Sequence, residues 1–600
     1  EFHSRLGTLT FFDPACGCGN FLIIAYREIR QLELEVLKEV HADVLDRLKG
    51  GATELPIHTF VKIDVDQFYG IEIGEFPARI AEVAMWMMDH IMNNKLSLEF
   101  GQSFVRIPLR KSPHIHHGDA LEVDWGGVLE PKKCSYVLGN PPFIGSKFQT
   151  PRKREQVRDI ARLGKSGGTL DYVSAWFIKA GDYAGEGKAK IGFVSTNSIT
   201  QGEQVAQLWP LLFDRCKLEI AFAHRTFAWG SDARGKAHVH VVIIGLTRRD
   251  MEPKDKRLFS YEDINGEPDE TTHSALTAYL FGAGNVRDRH LVVKETSKSL
   301  NGLPKLIIGS KPIDGGYFIF NRQERKDLLS TEPKAEKYLH PFIGAREFLQ
   351  GNERWILALH DAEPNDLRPL TQVRDVLTKV RRYRLGEISA KSKQDKPPAK
   401  PGLSSLKLAD TPAQYHVNII PTEPFLVIPE VSSERRMYIP IAWLAPPVIP
   451  SNKIRILANA EIFQFALLTS IMHMSWVRYI SGRLKSDFQY GIGVVYNTFP
   501  MPPAGANLAK LEPLAQAVLD ARSTHPDATL ADLYDPDLMP ANLRKAHAAL
   551  DRAVDRLYRK KPFESERERV EHLFGLYEAM IAPMDAAAKA PRRKRSPKAR

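Results

Sequence analysis

The stretch LTFFDPACGCGNF, residues Leu9 to Phe21, passes from an apolar β-type run into a turn holding two glycines. It then enters FLIIAYREIRQLELEVLKEV, Phe21 to Val40, whose apolar spacing is helical. A strand that hands over to a helix in this way is the opening unit of an open α/β sheet, in which crossover helices join parallel strands. Glycine lets the backbone approach a ligand closely, and ligands of such sheets bind at the carboxyl ends of the strands. The turn Asp13-Pro-Ala-Cys-Gly-Cys-Gly-Asn-Phe21 is therefore a candidate ligand loop. A lone G-x-G also serves plain strand-to-helix turns, so its weight depends on the strand ends downstream of it.

Short apolar runs keep alternating with helical patterns through the first 250 residues. The further strand candidates are FYGIEIG, YVLGNPP, AKIGFVSTN, LEIAFAH and HVHVVIIGL, and PARIAEVAMWMMDHIM is a second helix. The second strand ends in Gly70-Ile-Glu72, a carboxylate suited to gripping two ribose hydroxyls. His117-Gly-Asp119-Ala120 places another acid after a turn, able to accept from an adenine amine. GNPPFIG, Gly139 to Gly145, then closes the strand YVL with an amide, two prolines and an aromatic. Prolines fix φ and give up their amide protons, so Asn140 and Phe143 stand on a stiff ledge of free carbonyl acceptors, fit to hold a flat heterocycle bearing an exocyclic amine. Each feature alone has an ordinary reading as a cap or turn. Their order at successive strand ends is a far less probable accident.

In that order the chain resembles the class I S-adenosylmethionine-dependent DNA amino-methyltransferases, the adenine-N6 type with the cofactor motif ahead of the catalytic one. The resemblance implies a Rossmann-like α/β methyltransferase core. It assigns Asp13, Pro14, Ala15, Gly17, Gly19, Asn20 and Phe21 to the cofactor loop, Glu72 to the ribose, and Asp119 with Ala120 to the cofactor's adenine. Asn140, Pro141, Pro142 and Phe143 become the catalytic tetrapeptide, and Leu170-Asp171-Tyr172 is similar to a motif lining the cofactor and target pocket. The gap from Asp13 to Glu72 leaves room for roughly one helix beyond the minimal crossover.

Adenine N6 is a poor nucleophile because its lone pair is delocalised into the ring. Acceptance of the N6 protons by the Asn140 oxygen and the Pro141 carbonyl would favour a pyramidal nitrogen with its pair localised for in-line attack on the sulfonium methyl. The base must leave the duplex to be reached, with Phe143 stacking on one face and Phe227 or Trp229 of HRTFAWG as candidates for the other. No metal is needed for the transfer. Cytosine-C5 methylation requires a thiolate, usually after proline, and none of Cys16, Cys18, Cys134 and Cys216 follows one. Cytosine-N4 enzymes more often carry Ser or Asp where Asn140 stands.

Four cysteines without zinc-spaced histidines exclude a disulfide framework and indicate a reducing setting. No apolar run approaches membrane-spanning length. The expected setting is a prokaryotic cytoplasm, at the nucleoid. Lys and Arg number 83 against 72 Asp and Glu, a net charge of +11, gathered in RKSPHIHH, TPRKREQVR, KVRRYR and PRRKRSPKAR. Clustered positive charge suits duplex DNA as partner.

A methyltransferase core at 1–250 leaves more than half of the 600 residues. The divisions expected are a polar connecting segment at 251–300, a mixed α/β DNA target recognition domain at 301–505, a helical domain at 506–584 and a disordered basic tail at 585–600. ISAKSKQDKPPAKPG, at 388–402, reads as a flexible loop or linker. SSERRMYIP and RYISGRLKSDFQYGIGVVYNTFPMP mix charge with aromatics near loops, and Arg435, Arg436, Lys485, Asp487 and Gln489 are the candidate DNA contacts. The second stretch, with LADLYDPDLMPANLRKAHAALDRAVDRLY and ERVEHLFGLYEAM, resembles the MmeI-like type IIL restriction–modification family from about residue 8 to 584. That likeness implies a site-specific adenine methyltransferase of a restriction–modification system. Members of that family often begin with a metal-dependent nuclease domain. Its Asp and Glu-x-Lys are not found ahead of Thr8, so the chain, which opens at Glu1 without methionine like a fragment of something longer, is expected to methylate and not cut. The rival readings are a methyltransferase of RNA bases or protein amides, and a DNA-binding specificity protein with a silent core.

Overall fold

The computed structural model describes the chain except for residues 41–59, 101–110, 165–168, 230–238, 285, 485 and 590–600. It forms two compact units, Glu1–Val292 and Val293–Arg600.

The first unit is built on a nine-stranded sheet in the order β3-β2-β1-β4-β5-β7-β6-β8-β9. Its strands are β1 (Phe11–Asp13), β2 (Phe68–Glu72), β3 (His114–His117), β4 (Tyr136–Gly139), β5 (Lys190–Thr196), β6 (Leu218–Trp229), β7 (Val239–Arg248), β8 (Lys256–Ser260) and β9 (Asp269–His273). The pairs β3–β2, β2–β1, β1–β4 and β4–β5 are parallel. β7 runs antiparallel to both β5 and β6. The alternation in the sequence reads as a parallel sheet, and this reversal is the exception. The link between β6 and β7 is too short for a crossover, so the two strands can only fold back as a hairpin. The sheet also continues past residue 250, into the segment read as a connection, through β8 and β9. These two strands carry exposed charges such as Arg257 and Glu270, which leave no apolar run to read.

Helices α1 (Asn20–Val40) and α2 (Glu75–Phe100) pack together on this sheet. Phe11 stacks on Phe68 at 4.8 Å and on Tyr136 at 5.4 Å, its register partners on either side. This aromatic ladder fixes the spacing of the three strands that carry the site. Between the helices Arg30 bonds Glu33 and Asn93, Asn93 bonds Asp89, and Asp89 accepts from Tyr26, so each buried charge is paired although Arg30 Nε keeps no partner. Phe12 meets Trp125 edge-on at 5.3 Å and also touches Tyr183 of α4 (Ser174–Gly185), which follows α3 (Pro151–Ala161).

The second unit holds two four-stranded sheets and a three-stranded one. Helix α5 (Thr371–Leu385) lays Arg384, fully buried, among the carbonyls of Pro312, Ile313, Leu408, Thr411 and Gln414, all at 2.8–3.1 Å. The stretch at 388–402 lies within this unit and is tacked down by Lys391, whose amide donates to Gly315 and whose ammonium reaches Ile319 O. Helices α6 (Ile462–Leu468) and α7 (Ile471–Ile480) precede α8 (Glu512–Ser523), α9 (Ala541–Tyr558) and α10 (Glu566–Lys589). The last of these runs five residues past 584, into the stretch read as tail, because DAAAK continues it with strong helix formers. Asp551 of α9 accepts from Tyr438 and from the Ile471 amide, and Arg522 of α8 donates to Ile441 O. The C-terminal helices are thus tied by hydrogen bonds to the loop at 438–441 and to α7 of the same unit.

Candidate active site

β3, β2, β1 and β4 are adjacent and parallel, so their carboxyl ends line one edge, and the chain changes direction across the sheet between β1 and β4. Such a switch point opens a crevice in any doubly wound sheet. The turn after β1 fills part of it. Gly17 and Gly19 take φ of +55° and +86°, and a side chain on Gly19 would press on Ala81. A side chain on Gly17 would meet nothing, so its backbone faces open space. Cys16 N donates to Ile71 O, and Glu72 accepts from Gly17 N at 3.0 Å and Gly74 N at 2.8 Å, which braces the turn against β2. Pro14 is buried and its carbonyl accepts from Trp176 on α4 at 3.1 Å. Ala15 and Phe21 are half-buried, and Asn20 opens α1 exposed.

Asp13 is 1% exposed. Its Oδ1 accepts from Ala15 N at 2.9 Å. Burial, helped by the nearby Glu72 carboxylate, pushes its pKa up to about 7. Gly139, with φ of +152°, ends β4 directly against it, and a Cβ there would overlap the carboxylate. After β3, Asp119 accepts from Leu121 N and from Gln156, both at 2.9 Å, and Gln156 in turn accepts from the Tyr172 hydroxyl. Ala120 is buried, its carbonyl taken by Trp125 and Lys179.

The turn after β4 holds Asn140 and Phe143 half-buried, Pro141 buried and Pro142 exposed. The Asn140 side-chain oxygen is buried and has no hydrogen-bond partner. Buried acceptors are almost always paired, so this one points to a donor that arrives with a ligand. Its loop is held from behind by Asp171, 4% exposed, whose Oδ1 accepts from Ile144 N at 3.2 Å while Oδ2 accepts from the Thr196 and Ser198 hydroxyls at 3.3 Å. Burial raises the Asp171 pKa. Tyr172 N returns a bond to Ile144 O, and the buried Gln149 amide donates to Ile144 O and Leu170 O. The sequence offered Leu170 to Tyr172 as pocket lining. It gave no sign of this clamp, nor of Gln156, concealed in a basic helix.

Phe227 stands near the end of β6, where its ring stacks on Tyr261 at 5.0 Å. The Trp229 side chain lies outside the described residues. A cavity of about 490 Å³ lined by Thr8 to Thr10, Lys132 to Tyr136, Lys188 and Lys190 opens at the amino ends of β1, β4 and β5, the opposite edge from the chemistry.

In the second unit the three-stranded sheet of Val431–Ser432, Asp487–Gln489 and Gly482–Leu484 gathers the other candidates. Gln489 pairs with Val431 and Gly482, and Asp487 accepts from Glu434 N. Arg435 is exposed and paired with Asp537, whereas Arg436 keeps a buried Nε without a partner and is held below the usual arginine range by burial. Arg483, which no sequence pattern singles out, lies 4.0 Å over Phe488 with its pKa pushed down to about 10 by burial. Lys485 lies outside the described residues.

Comparison with known proteins matches three family models in chain order. These are the MmeI DNA-methyltransferase domain over residues 1–260, the MmeI target recognition domain over 287–503 and the MmeI C-terminal domain over 501–584. The chain is 37% identical over 586 residues to DNA methyltransferase A of Bacillus subtilis (strain 168), covering 96% of this chain and 62% of that protein. It is 22% identical over 291 residues to the adenine-specific methyltransferase PglX of Streptomyces coelicolor, covering 43% of this chain and 22% of that one. It thus spans less than two thirds of these relatives' length. A solved structure of the type IIL restriction–modification enzyme MmeI in complex with DNA superposes with a TM-score of 0.85 at 42% identity, over 96% of this chain and 74% of that one.

Proposed function

The chain belongs to the MmeI family, and from that premise we propose that it is a sequence-specific DNA methyltransferase that transfers a methyl group from S-adenosylmethionine to N6 of an adenine turned out of duplex DNA, within a restriction–modification system. The observation that carries this reading is the buried, unpartnered oxygen of Asn140 beside a proline carbonyl at the end of β4.

The residues present fit the cofactor. The open space beside the Gly17 backbone admits a close-packed ligand, Glu72 keeps lone pairs free for ribose hydroxyls, and Asp119 keeps acceptor capacity for an adenine amine. When bound, S-adenosylmethionine supplies an electrophilic methyl group on its sulfonium. The protein's own work is on the other reactant. Asn140 Oδ1 and the Pro141 carbonyl accept the two N6 protons, which draws the nitrogen out of conjugation and aims its lone pair. Phe143 covers the base, and the Asp171 clamp on Ile144 keeps the acceptors in place while it enters. Arg436, Asp487 and Gln489, with Arg435 and Lys485, are the groups we assign to the DNA, through base edges or phosphates. No helix among the described residues is long and apolar enough to cross a membrane, and the proposed setting is the prokaryotic cytoplasm at the nucleoid.

The test incubates the chain and an Asn140→Ala variant with S-adenosylmethionine and a plasmid library, then maps modified bases by single-molecule sequencing. N6-methyladenine at one fixed motif, made only by the parent, is the expected result. Marks on cytosine N4, or label transferred to RNA or protein in place of DNA, would overturn it.

A further inference from the structure

Phe148 is 85% exposed, five positions past Phe143 on the turn Ser146–Phe148. No other ring packs on it among the described residues, so it contributes nothing to the core. Yet the backbone that carries it is held unusually firmly. Phe148 N donates to Gly145 O at 2.8 Å, Arg154 reaches back from α3 to Ser146 O at 2.9 Å, and the buried Gln149 side chain fixes Ile144 O at 3.0 Å and Leu170 O at 2.9 Å. Thr150 caps α3 just beyond. The exposed Lys147 beside it makes no ion pair among the described residues, and Arg152 follows at 72% side-chain exposure, paired only with Glu122. An aromatic ring presented to solvent on a braced turn of the loop that follows β4, next in sequence to the exposed Lys147, is arranged to meet something planar and anionic.

We propose that Phe148 is the side chain that meets the duplex at the target base pair, stacking on the bases uncovered when the adenine turns out, with Lys147 against the neighbouring phosphate. This rests on the DNA-methylating reading of the adjacent site. Turning a base out of a duplex loses its stacking and pairing, and an aromatic or apolar side chain that takes up the exposed base faces lowers that loss. Phe148 therefore acts on base extrusion, a step before chemistry, whereas Asn140 acts on the extruded base.

The distinguishing experiment measures single-turnover methyl transfer from tritiated S-adenosylmethionine to two duplexes carrying the mapped site, one fully paired and one with an abasic position opposite the target adenine. Phe148→Ala is expected to slow transfer about tenfold or more on the paired duplex and to stay within about threefold of the parent on the abasic one, where extrusion is already easy. Phe148→Trp is expected to remain within about threefold on both. Equal losses of Phe148→Ala on the two duplexes, or parent-like rates on the paired one, would overturn the proposal. A parent chain inactive on both duplexes would instead overturn the DNA-methylating reading, and this proposal with it.

Discussion

Gly139 and Asp13 show how closely backbone and charge are fitted at the site. The carboxylate is buried at the end of β1 because the neighbouring strand ends in a residue without a side chain, in a backbone conformation that favours glycine. Burial makes the proton costly to lose, hence a pKa of about 7 in the fold against about 4 in an unfolded chain. The sign follows from linkage. Between those two values the folded state holds the proton more tightly than the unfolded state, so this group's contribution to stability falls as pH rises from about 4 to about 7 and is level above. Asp13→Asn keeps an oxygen for Ala15 N and removes the titration. Its melting temperature relative to the parent should therefore climb as pH is raised from 5 to 7.5 in scanning calorimetry. A difference that stays flat or falls over that range would mean the carboxylate is not buried as described.

At the scale of elements, the catalytic turn is only as well placed as the helix start that grips it. Asp171 takes four donors, the amides of Ile144 and Val173 and the hydroxyls of Thr196 and Ser198. Asp171→Ala should leave cofactor affinity nearly unchanged and lower kcat about tenfold or more, since the reacting atoms lose their alignment, with partial recovery in Asp171→Asn. Equal weakening of cofactor binding would place Asp171 in a general structural role. Arg384 does for the second unit what Asp171 does for the loop. Arg384→Met keeps the bulk but takes the guanidinium from five carbonyls, of which only those of Leu408 and Thr411 keep a backbone donor, and urea unfolding should report a loss of about 3 kcal/mol or more for that unit. The turn after β1 and the Asn140 turn were legible because a tight bend restricts residue type locally. The clamps were not, because Asp171 lies 27 residues from Ile144, and Arg384 is 71 from Ile313. Strands β8 and β9 were missed for a related reason: their exposed faces are charged, so their pairing is written in register and not in hydropathy.

At the scale of the whole chain, a boundary at Val292 separates two compact units, and the family models divide the second again near residue 501, where the C-terminal helices begin. The helical periodicity near residue 507 marks that part, whose helices also hydrogen-bond to Tyr438, Ile441 and Ile471 ahead of it. Every residue assigned to the cofactor lies in Glu1–Val292, while the candidate base readers lie in Val293–Arg600. A ligand stabilises only what it binds in the folded form, by about 2.7 kcal/mol at a free concentration 100 times its Kd. For a unit of this size that amounts to a rise of roughly 4 °C in melting temperature. S-adenosylmethionine without DNA should therefore protect peptides from the first unit against thermal proteolysis, read by mass spectrometry, and leave those from the second unit melting where they did. Equal protection of both would show that the two units unfold as one, and protection of the second alone would move the cofactor site away from the turn that follows β1.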